Sequence, residues 1–195
     1  AYVMDYYNIL SQDCYENNGW NGGESASSCS EASGSGSSSG SNTPASNNTS
    51  TDGSTCAAGT NSLGVYANAH EKGQRLSIQL CEVTSIKLSE SGFYTSQDPD
   101  IFRSTKNGGI VVGASVSDAY QKMGEADKAN GTQLSGKGIR SYEKQQYFYN
   151  GYVNKNCNNG NLAAKPGNSE HESGKAVDFS SSSIGWLQKN ASTYG

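Results

Sequence analysis

The chain has 195 residues, a formal net charge of -4, 24 glycines and a hydrophobic fraction of only 33%. Without a cluster of Lys or Arg there is nothing to drive counterion release, which excludes a nucleic-acid role, and no apolar run is long enough to cross a bilayer. One core spread over the whole length would be thin, so the composition points to a smaller domain with appendages.

Residues 1–20 are dense in aromatic and aliphatic side chains, and Val3, Tyr6, Tyr7 and Leu10 recur at helical spacing, predicting a short amphipathic helix. Residues 21–61 turn to Ser, Gly, Asn and Thr, a composition that cannot offset its own ordering entropy and reads as a flexible linker. Cys29 and Cys56 bracket this tract, so a disulfide between them is one of the possible pairings among the five cysteines. The absence of C-x-x-C spacing favours disulfides outside the cytoplasm over a zinc ribbon or a thioredoxin-like motif.

A β-rich segment follows over residues 62–108. Leu76, Ile78 and Leu80 alternate with Ser77 and Gln79, and Ile86 with Leu88 continues or partners that strand. The last segment, 109–195, opens with a buried strand at Ile110-Val111-Val112. Val116, Ala119, Tyr120, Met123 and Ala126 then keep a helical beat, with Ser115 or Ser117 as cap and Asn130-Gly131 as stop. Thr132 to Leu134 reads as a short strand running into Gly136-Lys137-Gly138, where two glycines permit a close approach ahead of Arg140. Ser141 caps a second helix, with Tyr142, Gln145, Tyr149, Tyr152 and Val153 on one face and Gln145 near Arg140. A last helix begins at about Ser183. Short strands and segregated helices without a βαβ repeat define an α+β class with a small, mainly antiparallel sheet covered by helices.

Chemistry concentrates in Lys165 to Ser180. Ala176-Val177-Asp178-Phe179 alternates like a short strand, so Val177 and Phe179 face a core while Asp178 faces away. Seven residues earlier stands His171, with Gly174 between them to bend the backbone, so an imidazole and a carboxylate can meet at one divalent ion. On spacing alone a structural hydrogen bond is the commoner outcome for such a pair. In an extended segment Glu172 would project away from His171, and the remaining histidine, His70, stands far upstream in a stretch without catalytic pattern.

The string S-x-H-x-x-G-x-A-x-D, here Ser169, His171, Gly174, Ala176 and Asp178, resembles the zinc D-alanyl-D-alanine carboxypeptidases of the VanY type. Gly138, Arg140, Ser141 and Gln145 resemble that family's G-[YF]-R-S-x-x-x-Q segment, with Ile139 departing at the aromatic position. The resemblance covers roughly residues 110–195. It implies a hedgehog/D,D-peptidase-like fold, zinc as cofactor with His171 and Asp178 as ligands, and Arg140, Ser169 and Gln145 as substrate-binding residues. Peptidoglycan stem peptides are the implied partner, and the cell envelope or extracellular space the implied location. The family's third ligand and general base lie in an E-x-W-H-like motif after the Tyr-Gly pair, so the chain reads as an enzyme piece cut before it. That piece is expected to bind zinc weakly and to be inactive by itself. Two alternatives stand beside this reading: a non-catalytic cell-wall-binding or surface-display module, and a peptidoglycan endopeptidase of the same fold.

Overall fold

The computed structural model describes residues 52–155 and 161–195. The expected N-terminal helix, residues 21–51 of the Ser/Gly/Asn-rich tract, Cys29 and Cys157 lie outside the described residues.

Two long antiparallel strands, β1 (Asn61–Glu71) and β2 (Gln74–Leu88), form a hairpin closed at Lys72-Gly73, both with positive φ. The short strands β3 (Gly109–Gly113), β4 (Ser135–Lys137) and β5 (Asp178–Phe179) complete a single sheet. β2 is its hub, pairing antiparallel with β1 and β3 and parallel with β4, while β5 pairs antiparallel with β4. Among the described residues three α-helices accompany the sheet: α1 (Ala114–Ala129), α2 (Tyr142–Asn154) and α3 (Ile184–Asn190). The α+β class with a mainly antiparallel sheet is therefore the observed one. Residues 62–108 and 109–195 contribute strands to the same sheet.

Alternation along β2 and β3 sorts the core into two layers, as a period of two requires. Leu76, Ile78, Leu80 and Val111 pack with Tyr66, Phe102 and Ile139 on one face. Val83, Ile110 and Val112 pack with Val116, Met123, Phe179 and Leu187 on the other. Ile86 and Leu88 continue β2 itself.

Several local expectations are corrected. The N-cap of α1 is Gly113, without a side-chain cap; the Ser117 hydroxyl instead donates to the Ala114 carbonyl at 2.8 Å, inside the first turn. The strand expected at Thr132 to Leu134 lies three residues later, because Thr132 is drawn back onto the end of α1 by its contacts to Asp127. β5 is only two residues long, with Val177 packing beside it on the core. The buried side of α2 carries Lys144, Gln145, Phe148 and Gly151, whereas Val153 is 55% exposed. Cys56 pairs with Cys81 of β2, at a Cα–Cα distance of 5.6 Å, and not with Cys29. Residues 52–60 are further tied by Ala57 N–H donating to Ser117 Oγ and Thr84 Oγ1 donating to the Gly59 carbonyl.

Candidate active site

The site grows out of the β4–β5 pair and the turns on either side of it. Leaving β4, the chain runs through Gly138, where an added Cβ would lie 2.1 Å from the Val111 carbonyl oxygen, so only glycine permits this approach to β3. Ile139 N–H donates to that same carbonyl and Arg140 follows. Ser141 caps α2 as expected, its hydroxyl accepting from Lys144 N–H at 3.2 Å, and the helix then presents Gln145 back toward Arg140. On the other side, Pro166 to Gly174 forms successive turns. Glu172 N–H donates to the Ser169 carbonyl, and Gly174, at φ +70, has its N–H on the His171 carbonyl. Gly174 packs on Gly113, where a Cβ would stand 2.6 Å from the Gly113 nitrogen. The bend expected at this glycine is real.

His171 and Asp178 meet. The two side chains are nearly buried, with His171 Nε2 3.1 Å from Asp178 Oδ1. His171 Nδ1 lies 2.9 Å from the Gly138 carbonyl. A carbonyl only accepts, so Nδ1 carries the proton, and Nε2 faces the carboxylate either as a second donor of an imidazolium or as a lone pair. Arg140 joins them: its Nη2 donates to Asp178 Oδ2 and its Nη1 to Gln145 Oε1, each at 2.8 Å. Gln145 Nε2 in turn donates to the Ala164 carbonyl, and the guanidinium lies 4.7 Å from the Phe148 ring centroid. Arg140 Nε is buried without a partner among the described residues. Burial alone would push the Asp178 carboxyl up, but the neighbouring His171, then Arg140 and Lys137, outweigh it and bring the pKa down to about 2.

All five residues singled out in the sequence fall in one neighbourhood. Ser169, almost buried, stands on the turn before His171, with its N–H on Glu172 Oε2 at 3.1 Å. Glu172 does not project away, because the segment is a turn and not extended. Its side chain is fully buried, and burial raises its pKa against the lowering effect of the Gly167 and Ser169 amides. His70 does not reach His171 or Asp178. Its N–H donates to the Glu172 carbonyl and its ring packs on Tyr142 at 4.7 Å. The Gly138 carbonyl is the group that sequence reasoning did not reach, since a backbone acceptor is announced by no residue type.

The donor set fits zinc as far as it goes. An imidazole nitrogen and a carboxylate oxygen 3.1 Å apart approximate one edge of a tetrahedral zinc site, about 3.3 Å for bonds of roughly 2.0–2.1 Å. The Gly138 carbonyl supplies the hydrogen bond that metal-bound histidines commonly make through their other nitrogen. Among the described residues no group of three His, Cys, Asp or Glu side chains gathers.

Residues 109–195 match the family described as VanY: D-alanyl-D-alanine carboxypeptidase. Over these residues the resemblance read from the two motifs is borne out. Among solved structures, the LdcB LD-carboxypeptidase, described for the molecular basis of its peptidoglycan recognition, is 27% identical over 60% of this chain, with a TM-score of 0.41. The chain spans 56% of that protein's length. A mutant of the vancomycin resistance D,D-pentapeptidase VanY from a VanB-type resistance cassette, in complex with Zn(II), is 22% identical over 58% of this chain and 75% of its own, with a TM-score of 0.38. No curated protein matches.

Proposed function

We propose that this chain is part of a zinc-dependent carboxypeptidase of the D-alanyl-D-alanine type acting on peptidoglycan stem peptides. The observation that carries the reading is the convergence of His171, Asp178 and Arg140 within 3.1 Å contacts, inside the stretch that matches the family. His171 Nε2 and Asp178 Oδ1 would hold the ion. Zinc bound there supplies Lewis-acid activation of water and of the scissile carbonyl.

The chain's own residues do the rest. The Gly138 carbonyl fixes the His171 tautomer, so Nε2 is directed at Asp178. Arg140 has two tasks. Through Nη2 it neutralises Asp178, and through its buried, unpartnered Nε it has a donor left for the C-terminal carboxylate that a carboxypeptidase must recognise. A buried donor without an acceptor costs about 1–3 kcal/mol, which favours a partner that arrives with the substrate. Gln145, itself anchored on the Ala164 carbonyl, holds the guanidinium through Nη1. Ser169, on the turn ahead of His171, would contact the peptide backbone.

Action at the cell envelope or outside the cell agrees with the Cys56–Cys81 disulfide, since such bonds persist in oxidising compartments. None of the described helices is long and apolar enough to cross a membrane. The test is incubation of the whole protein with zinc and a stem pentapeptide. Release of free D-alanine supports the proposal, and internal cleavage without D-alanine assigns an endopeptidase. Binding of peptidoglycan with no cleavage assigns a wall-binding module. For residues 1–195 alone, with two zinc donors together among the described residues, we expect weak zinc binding by calorimetry and no turnover.

A further inference from the structure

The family match begins at Gly109, yet the turn that carries Ser169 and His171 is gripped from outside the match. Glu172, itself inside the match, is where that grip takes hold. Its carboxylate, fully buried, accepts the Gly167 N–H at 2.9 and 3.0 Å through its two oxygens, and Oε2 also accepts the Ser169 N–H at 3.1 Å. Its main-chain carbonyl accepts the His70 N–H of β1 at 3.2 Å. One step along, the Gly167 carbonyl accepts the N–H of Gly73 at the hairpin tip at 2.7 Å. Beside these bonds Glu71 pairs with Lys175, and the His70 ring packs on Tyr142, the first residue of the helix that supplies Gln145. The turn is thus shaped from within by a carboxylate and sewn from without to the β1–β2 hairpin.

We propose that Glu172 is a positioning residue for the candidate active site, and that the β1–β2 hairpin is the other half of the same clamp. Together they set where His171 stands relative to Asp178. The inference rests on reading His171 and Asp178 as the reactive pair, but its geometry does not depend on a metal. The Gly167 N–H is shared between the two side-chain oxygens, so both positions require an acceptor with no donor of its own. A carboxylate meets that condition and a carboxamide does not, since its NH2 would face one of the amides. His171 is the preceding residue, and its ring is held at the far side by the Gly138 carbonyl. A turn that loosens therefore withdraws Nε2 from Asp178 before the sheet is affected.

The molecule contains its own control. Glu82 is equally buried and also organises a loop through amides, those of Lys106, Asn107 and Gly109, with Asn61 Nδ2 as a further donor. It lies on the opposite segment of β2 from the hairpin tip and touches none of the site residues. The experiment compares Glu172→Gln with Glu82→Gln in the full chain, using Co(II) alone as the probe and NMR of the His171 Nδ1–H resonance as a metal-free readout, with thermal midpoints recorded for both. We expect both substitutions to lower the midpoint. Only Glu172→Gln should weaken Co(II) binding, by about tenfold to a hundredfold, as loss of an outer-shell support does. It should also broaden the His171 Nδ1–H signal, which Glu82→Gln leaves intact. Equal effects of the two variants on Co(II) affinity and on the His171 signal would overturn the proposal, as would no effect of Glu172→Gln on either. If the unaltered chain shows no Co(II) binding, the metal reading falls. The His171 signal still decides the positioning role. Should Glu172→Gln fail to fold, Glu172→Asp, which keeps the charge but withdraws it by one methylene, carries the same two readouts.

Discussion

Arg140 and Asp178 are ion-paired at 2.8 Å with side chains only 10% and 12% exposed, so the guanidinium and the candidate metal carboxylate hold each other in place. His171 and Arg140 favour the ionised form of Asp178 over the burial that opposes it. Its folded pKa is about 2 against an ordinary 3.8, so the folded chain binds this proton less readily than the unfolded chain. The stability that follows, about 2 kcal/mol, is fully present above the unfolded value and is lost as pH falls through the folded one. Urea unfolding between pH 5 and pH 2 should show the gap between the wild type and Asp178→Asn narrowing across that window. A gap that stays constant would mean that Asp178 is not held by these charges.

Arg140 has a second expected role, at the substrate. In the whole protein, Arg140→Lys should lower kcat/KM on a stem peptide by about 2–3 kcal/mol, because an ammonium cannot hold Asp178 and Gln145 and still present a further fixed donor to the substrate. Amidating the peptide's C-terminus separates this from the effect on Asp178. The wild type should fall toward the variant's level and the variant should barely respond. Equal penalties from amidation would confine Arg140 to holding Asp178.

A buried pair fixes the start of α2. Lys144 Nζ lies 2.9 Å from Asp98 Oδ2, with side chains 2% and 3% exposed, and also donates to the Phe93 carbonyl. Burial lowers the Lys144 pKa against the raising effect of Asp98. Lys144→Ala strands the carboxylate and should cost about 3–5 kcal/mol. Adding Asp98→Asn should recover part of that loss. The denaturant midpoints of the two singles and the double form the cycle, and strict additivity would show the pair to be uncoupled.

How legible this was in the sequence depends on what held each element. β2 and β3 were readable because apolar alternation is their cause: Ile78 and Leu80 face one layer, Ile110 and Val112 the other. Ser141, Gly174 and the Arg140–Gln145 contact were readable because capping, bending and short-range pairing are local. The buried face of α2 was not, since it turns on Lys144, whose burial depends on Asp98, 46 residues away. Glu172 was misplaced for the same kind of reason. Its environment is made by the amides of a turn and by a hairpin a hundred residues upstream, and neither leaves a mark on residue type. The Cys56–Cys81 pairing was one of several that spacing allowed.

That disulfide closes a loop with a sequence separation of 25. Chain-entropy arguments give it about 3.5 kcal/mol, with the range for native bonds running roughly from 2 to 5. Cys56→Ser should lower the denaturant midpoint accordingly, while Lys144→Ala and Cys56→Ser together should be close to additive, because they act on different elements. A stability change under about 1 kcal/mol would mean that the reduced chain already keeps residues 52–60 on α1 through Ala57 and on β2 through Gly59.

The strictest link between backbone and chemistry is Gly138. An added methyl would meet the Val111 carbonyl oxygen at 2.1 Å, which neither strand can yield without breaking the bond from Ile139 N–H to that carbonyl. The Gly138 carbonyl is also the acceptor for His171 Nδ1. Gly138→Ala should therefore act twice. It should destabilise the fold by about 1–3 kcal/mol through overpacking, and it should move the carbonyl away from the imidazole, weakening metal binding by about tenfold or more. Gly108→Ala is the comparison. Gly108 has φ +65 and nothing within 4 Å of an added Cβ, so that variant suffers backbone strain without a clash and without contact to His171. Calorimetric titration with zinc or Co(II), at a temperature where both variants are folded, reads the second effect free of the first. If Gly138→Ala and Gly108→Ala bind the metal equally well, the Gly138 carbonyl does not orient His171, and the close approach of β3 to this loop serves packing alone.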